Sequence, residues 1–491
     1  MTFINQLDLI FIPHNGEKTQ VAAENLTSTI HKGVEMKNKR IYASIAMVLA
    51  GAMALVGCGS GNSESTESKD TIKVMYYKTD SFMQFDALMK NVKTTIEKKY
   101  PGKKVELQPV TANDTDYNTK LALANRSAET APDVFYEDSS KIRADADAGY
   151  LYKLDDLPKG WDDWDSQFTD AAKKVGEGKD GTYAVPLSTD SRVIWYNKKV
   201  FEKAGISTPW QPKKWDDILD AAAKIKKNVP DVVPFNMFAG TAIAEGSVMQ
   251  SFYELLFGTK LGDNALMDSS SEKWVVGSKG MKDALEFIKT LYDKGYAPTA
   301  AQALDSNLGT TIANDWLPNG KIGGTVDGSW MPGTWMKGGS YEWPEYEDEI
   351  GAALFPTQNG QAPGYVTMSG GWTLAIGSKT KNAELAFDFI KEAAGFKGSL
   401  NYAKQMSLTA VRKDVAKDSG YLATNPFTKI TTNAIEYTHF RPSTTEYPKV
   451  SAEIQKAMEN IITDHMSVDE AASEYDKALT NIVGEENVVK K

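Results

Sequence analysis

A single cysteine, Cys58, occurs in 491 residues, so no disulfide can form within the chain. Histidine is almost as scarce. Of four, only His439 and His465 lie beyond residue 57, which leaves no histidine cluster for a metal and no Cys/His pair for nucleophilic catalysis. Neither a G-x-S-x-G elbow nor a G-x-x-x-x-G-K-S/T phosphate loop is present. Basic residues are outnumbered, 55 Lys and Arg against 65 Asp and Glu for a formal charge of -10, and without a basic stripe nucleic acid is excluded as a partner. Long apolar runs are missing too. Nothing after residue 57 approaches the roughly 20 apolar residues of a membrane span. No cofactor is expected, and the chain is not expected to be an enzyme.

What is present begins with the setting of Cys58. Lys37, Lys39 and Arg40 form a basic start, and Ile41 to Val56 is an uncharged, largely apolar stretch closing on small residues, the pattern of a secretory signal over 36–57. Leu55-Val56-Gly57-Cys58 resembles a bacterial lipoprotein box. That likeness implies cleavage before Cys58 and a diacylglyceryl group on its thiol. Two acyl chains hold a protein stably at a membrane where one does so only marginally, so the body is expected at the outer, extracytoplasmic face of the cell membrane. Residues 58–70, rich in Gly, Ser and Glu, read as a flexible tether. Translation is expected to start at Met36, with 1–35 an upstream extension or a long basic leader. Without residues 1–57, which carry five basic and four acidic residues, the charge becomes -11.

The remaining length exceeds one simple core and predicts two domains. Ile72 to Tyr77, Lys104 to Gln108 and Asp133 to Tyr136 read as strands. A helix from Phe82 through Ile96 and another over Tyr117 to Asn125 lie between them, which predicts a parallel βαβαβ unit. Later helices are predicted over Trp215–Lys227, Met281–Lys294, Glu384–Ala394 and Lys449–Thr463, and one more opening on a Ser467/Glu470 capping box. No repeat or Pro-rich linker divides the chain, so two lobes would have to be joined by strands or short loops. Ligands bind beyond the carboxyl ends of parallel strands. Tyr77, Thr79 and Asp80 after the first strand, and Glu137 and Asp138 after the third, are therefore candidates, with Asp80 equally suited to cap the next helix.

Four stretches resemble one family in its own order: APDVFYEDSSKIRADADAGYLYKLDD (Ala131 to Asp156), YAVPLSTDSRVIWYNKKVFEKAGI (Tyr183 to Ile206), GKIGGTVDGSW (Gly320 to Trp330) and SGGWTLAIGSKTKNAELAFDFIKEA (Ser369 to Ala393). They resemble extracellular solute-binding proteins of sugar ABC importers (family 1). The resemblance implies an α/β, two-lobed periplasmic-binding-protein-like fold with a hinged interlobe cleft. Lobe one is expected over 71–185 and 357–406, lobe two over 186–356 and 407–491, with crossings near Pro186, Phe355-Pro356 and Ser407 to Ala410. It also implies a monomer that closes on a sugar, expected to be an oligosaccharide, and hands it to membrane permease subunits.

A pyranose offers an apolar C–H face and a rim of hydroxyls, so its site needs flat rings and planar polar groups. Trp330 and Trp372 each follow a Gly/Ser turn at a strand and are the expected stacking rings, whereas Trp161, Trp164, Trp215 and Trp274 fit packing. Asp190 and Arg192 in the first crossing and Arg441 in His439-Phe440-Arg441-Pro442 are polar candidates; a salt bridge within one lobe is the plain alternative for each arginine. Tyr447 is a further ring candidate. Two other readings stay open: a cell-surface glycoside hydrolase, which needs only two carboxylates, and a glycan-binding adhesin.

Overall fold

The computed structural model describes residues 70–78, 83–112 and 114–491. The upstream segment, the signal, Cys58, most of the tether and Asp80 lie outside them. Among the described residues no helix is long and apolar enough to cross a membrane.

Alternation of apolar residues makes β1 (Thr71–Lys78) a strand that turns Ile72, Val74 and Tyr76 inward. The helix Met83–Lys99 carries Phe85, Met89, Val92 and Ile96 on one stripe, all buried. β2 (Lys104–Thr111) and β3 (Val134–Asp138) pair with β1 in parallel, so the βαβαβ unit forms as expected. β4 (Ala184–Pro186) and, from far along the chain, β13 (Trp372–Ile376) complete a five-stranded sheet ordered β2-β1-β3-β13-β4. β13 runs antiparallel to both its neighbours.

The second sheet has the order β10-β5-β9-β6, from β5 (Arg192–Asn197), β6 (Val233–Asn236), β9 (Ile322–Gly328) and β10 (Ile350–Ala353). β5 and β9 are buried at every position, as central strands covered on both faces must be. Helices Trp215–Asn228, Lys279–Asp293, Ala383–Ala394 and Tyr447–Thr463 stand within two residues of their expected bounds. Ser467 and Glu470 cap Val468–Val483 reciprocally. Two small sheets remain. One joins β7 (Met267–Asp268), β8 (Lys273–Val276) and β15 (Val488–Lys490), the other β11 (Phe355–Pro356), β12 (Tyr365–Met368) and β14 (Thr438–His439).

Each large sheet has its own apolar interior, which makes the fold two-lobed. The first interior runs from Ile72 to Leu187 and returns from Leu374 to Val411. The second takes residues from Ile194 to Met368 and from Tyr447 to Val483, with an adjoining cluster around Trp195, Trp335 and Phe427. Phe355, Val366 and Met368 belong to this second interior. The chain goes from the second interior to the first between Met368 and Leu374, as β11 and β12 pair with each other and pack on the second interior. Leu408 and Val411 lie in the first interior and Phe427 in the cluster adjoining the second.

The passages are tied side by side. Thr189 Oγ1 donates to the Gly370 carbonyl at 3.0 Å, and Gly370 N–H donates to Asp190 Oδ1 at 2.9 Å. Beneath the middle passage, fully buried Glu254 accepts the Met368 N–H at 3.2 Å while its Oε2 has no partner. Burial pushes its carboxyl up to about 8, against the opposing pull of Arg192.

Two outcomes follow from this packing. Phe85 lies against Tyr136 and Tyr402 with ring centres 4.2 and 5.2 Å away, so Phe85→Ala should cost about 3–5 kcal/mol in urea unfolding; a loss under 1 kcal/mol would remove it from the core. Because the folded carboxyl of Glu254 titrates above its ordinary value, its contribution is complete below pH 4.5 and is lost as pH rises through about 8. Glu254→Gln should therefore gain stability over the wild type progressively from pH 5 to 9, and a pH-independent difference would contradict the assignment.

Candidate ligand-binding cleft

Between the two interiors lies a cleft of about 510 Å³ whose walls come from both lobes. Trp372 opens β13 opposite Asp138 and lines the first-lobe wall. Its ring lies parallel to Tyr136 at 4.5 Å and to Tyr77 at 6.0 Å between centres. Gly371 before it takes φ +140°, and a Cβ there would collide with the Ser188 carbonyl, so only glycine lets the passages approach this closely. Trp330 lines the opposite wall. Its ring folds over Gly328, where a Cβ would run into it, and the Arg192 guanidinium lies 5.1 Å from the ring centre, a cation–π arrangement.

Two sets of ion pairs line the cleft. Arg192 pairs with Asp190 and donates to the Met368 carbonyl at 3.2 Å. Arg441 spans the lobes, with Asp138 of β3 at 3.0 Å and Glu245 of the second lobe at 3.3 Å. Burial alone would raise the Asp138 carboxyl; the Arg441 charge and hydrogen bonds from Ser140 outweigh it and hold it below the ordinary range. Glu245 is itself fixed by the Tyr447 hydroxyl and by Ser451 Oγ at 2.5 Å.

Six of the expected site residues thus meet in the lining: Asp138, Asp190, Arg192, Trp330, Trp372 and Arg441. Three do not line it. Tyr77 stands behind Trp372. Glu137 precedes Asp138 in a strand, so its side chain points to the other face; it is fully buried, and burial followed by the neighbouring Asp145 carboxyl pushes it well above the ordinary range. Tyr447, 2 % exposed, belongs to the second interior and braces Glu245 rather than offering a ring.

Several lining residues carry no advance signal in the sequence reading. Glu245 follows Ala244, whose φ of 50° is unusual for a residue with a side chain. Gln250 and Asn314 lie in two short π-helical turns, Val248–Phe252 and Ile312–Trp316, irregularities common at functional sites. Gln250 Oε1 and Asn314 Oδ1 are enclosed without a partner, so each can still accept a hydrogen bond. Asp327, at the end of β9, is a further carboxylate on the wall.

Residues 79–397 match the model of the bacterial extracellular solute-binding protein family. The chain is 25% identical over 365 residues to a multiple sugar-binding protein of Streptococcus mutans, covering 71% of this chain and 78% of that one. It is 27% identical over 287 residues to the diacetylchitobiose binding protein DasA of Streptomyces coelicolor, covering 57% of this chain and 60% of that one. Among solved structures, the GacH receptor of Streptomyces glaucescens superposes with a TM-score of 0.69 at 24% identity, over 84% of this chain and 98% of that one. The maltose-bound MalE3 of T. maritima does so at 0.70 and 23%, over 84% and 100%. The likeness in structure confirms the two-lobed periplasmic-binding-protein-like fold. With most of its described body under the family model, the chain belongs to the bacterial extracellular solute-binding proteins.

Proposed function

We propose that the protein captures an oligosaccharide in the cleft by closure of its lobes and delivers it to the permease subunits of an ABC importer. The observation that carries this reading is the pair of tryptophans, one on each wall, set among hydrogen-bonding groups that remain unpaired in Gln250 and Asn314. Flat rings take the C–H faces of a sugar and the polar rim takes its hydroxyls. Relatives named for sugar and diacetylchitobiose binding, and one named a probable ABC transporter-binding protein in Deinococcus radiodurans, support the class. A ligand touching both walls binds the closed arrangement better than the open one and shifts the population toward it.

In this reading lobe one holds 71–187 and 372–411, and lobe two holds the intervening stretch and the C-terminal part, with Ser188–Ser191 and Ser369–Gly371 among the connections. The body works as a monomer, held to the outer face of the membrane by a lipid on Cys58. It binds without chemical change, and release of reducing ends from an oligosaccharide would instead favour the hydrolase reading.

A thermal-shift and intrinsic-fluorescence screen with maltose, maltotriose, cellobiose and diacetylchitobiose tests the proposal. At least one sugar should raise the melting temperature and come back intact. A ligand at 100 times its Kd stabilises by about 2.7 kcal/mol, well within detection. Trp372→Ala and Trp330→Ala should each weaken that sugar at least tenfold with the fold retained. Near-wild-type affinity in both variants would take the rings out of the site.

A further inference from the structure

Three of the four carboxylates on the cleft wall are already answered by the protein. Asp138 and Glu245 share Arg441, and Asp190 has Arg192 and the Gly370 N–H. Asp327 differs. It is 6 % exposed, and its Oδ1 takes the N–H of the adjoining Gly328 at 2.7 Å. Among the described residues no other hydrogen bond or ion pair reaches that carboxylate. Leaving a buried carboxylate so lightly held is costly, and folded proteins ordinarily pair such groups. Burial pushes its carboxyl up to about 6, and Arg192 on neighbouring β5 is the charged group that pulls it back.

The surroundings of Asp327 point to what completes it. Arg192 is the register partner of Gly328, its guanidinium lies over the Trp330 ring, and its Nε–H is buried without an acceptor. Asp327 is itself the register partner of Val193, so its side chain leaves β9 on the face opposite to Arg192 and Trp330, and the carboxylate and the guanidinium reach the same cleft from two sides. A sugar hydroxyl donates as well as accepts, so an O–H of a ligand in the cleft can be given to the Asp327 carboxylate. An acidic ligand meets the opposite situation. The lining holds four carboxylates against two guanidinium groups, with no lysine or histidine, and both guanidinium groups are engaged by carboxylates. A second anion would enter a wall of its own sign without a free cation to receive it.

We infer that Asp327 is the anchoring acceptor for the ligand, and that the cleft takes a neutral saccharide through its hydroxyls while turning away uronic and phosphorylated sugars. The inference rests on the saccharide reading above and adds the residue and the charge class.

The test uses the full-length protein and its Asp327→Asn variant, at pH 7.5, titrated with maltose, maltotriose, cellobiose and diacetylchitobiose on one side and digalacturonate and glucose 6-phosphate on the other. A neutral sugar should bind the wild type, the acidic ones should leave its melting temperature unchanged, and Asp327→Asn should weaken the neutral sugar at least thirtyfold. Without ligand, Asp327→Asn should melt above the wild type, because it removes an unpaired buried charge; a group serving only the fold would melt lower when replaced. Binding by the variant within threefold of the wild type, a lower ligand-free melting temperature, or an acidic sugar bound as tightly as a neutral one would each overturn the inference while leaving saccharide binding in place. Failure of every sugar to bind the wild type would instead bring down the saccharide reading and this inference with it.

Discussion

Arg441 holds a carboxylate from each lobe, and the geometry of the cleft depends on that bridge. A guanidinium 8 % exposed is tolerable only when its charge is answered and its donors are used. Asp138 does so from the end of the first sheet, and Glu245 from the second lobe, where Tyr447 and Ser451 brace it. Removing any member would strand a charge in a poorly solvated place. The bridge therefore sets where β3 ends relative to the opposite wall, and with it the separation of the rings placed on either side.

Around this bridge the protein leaves other groups incompletely satisfied. Arg192 Nε, Gln250 Oε1 and Asn314 Oδ1 lack partners, and Asp327 is held by one backbone N–H. In a region serving only the fold such groups would be penalties without return. In a cleft they are unused capacity for hydrogen bonds that a ligand can take up. Glycines serve the same end. At Gly371 the backbone approaches Ser188 too closely for a side chain, and at Gly328 the empty position receives the Trp330 ring.

Much of this was legible in the residues themselves. The period-2 and helical patterns located the first sheet and the main helices, because those elements bury one face against a single interior. Trp330 and Trp372 stood out through their Gly/Ser approaches together with the family resemblance, Asp190 and Arg192 through their place in the first crossing, and Arg441 through its setting in His439-Phe440-Arg441-Pro442 before a helix. Parity within β3 separated Asp138 from Glu137 only once the face of the sheet was known. Glu245, Gln250, Asn314 and Asp327 were not legible, because their roles come from π turns, a positive φ and a strand end brought together across the chain.

The most direct measurement is a crystal structure of the protein with the sugar it binds best. The account expects one sugar ring parallel to Trp372 or Trp330, and hydroxyls within hydrogen-bond distance of side chains from both lobes. A sugar seated on one lobe alone, or away from both tryptophans, would contradict it.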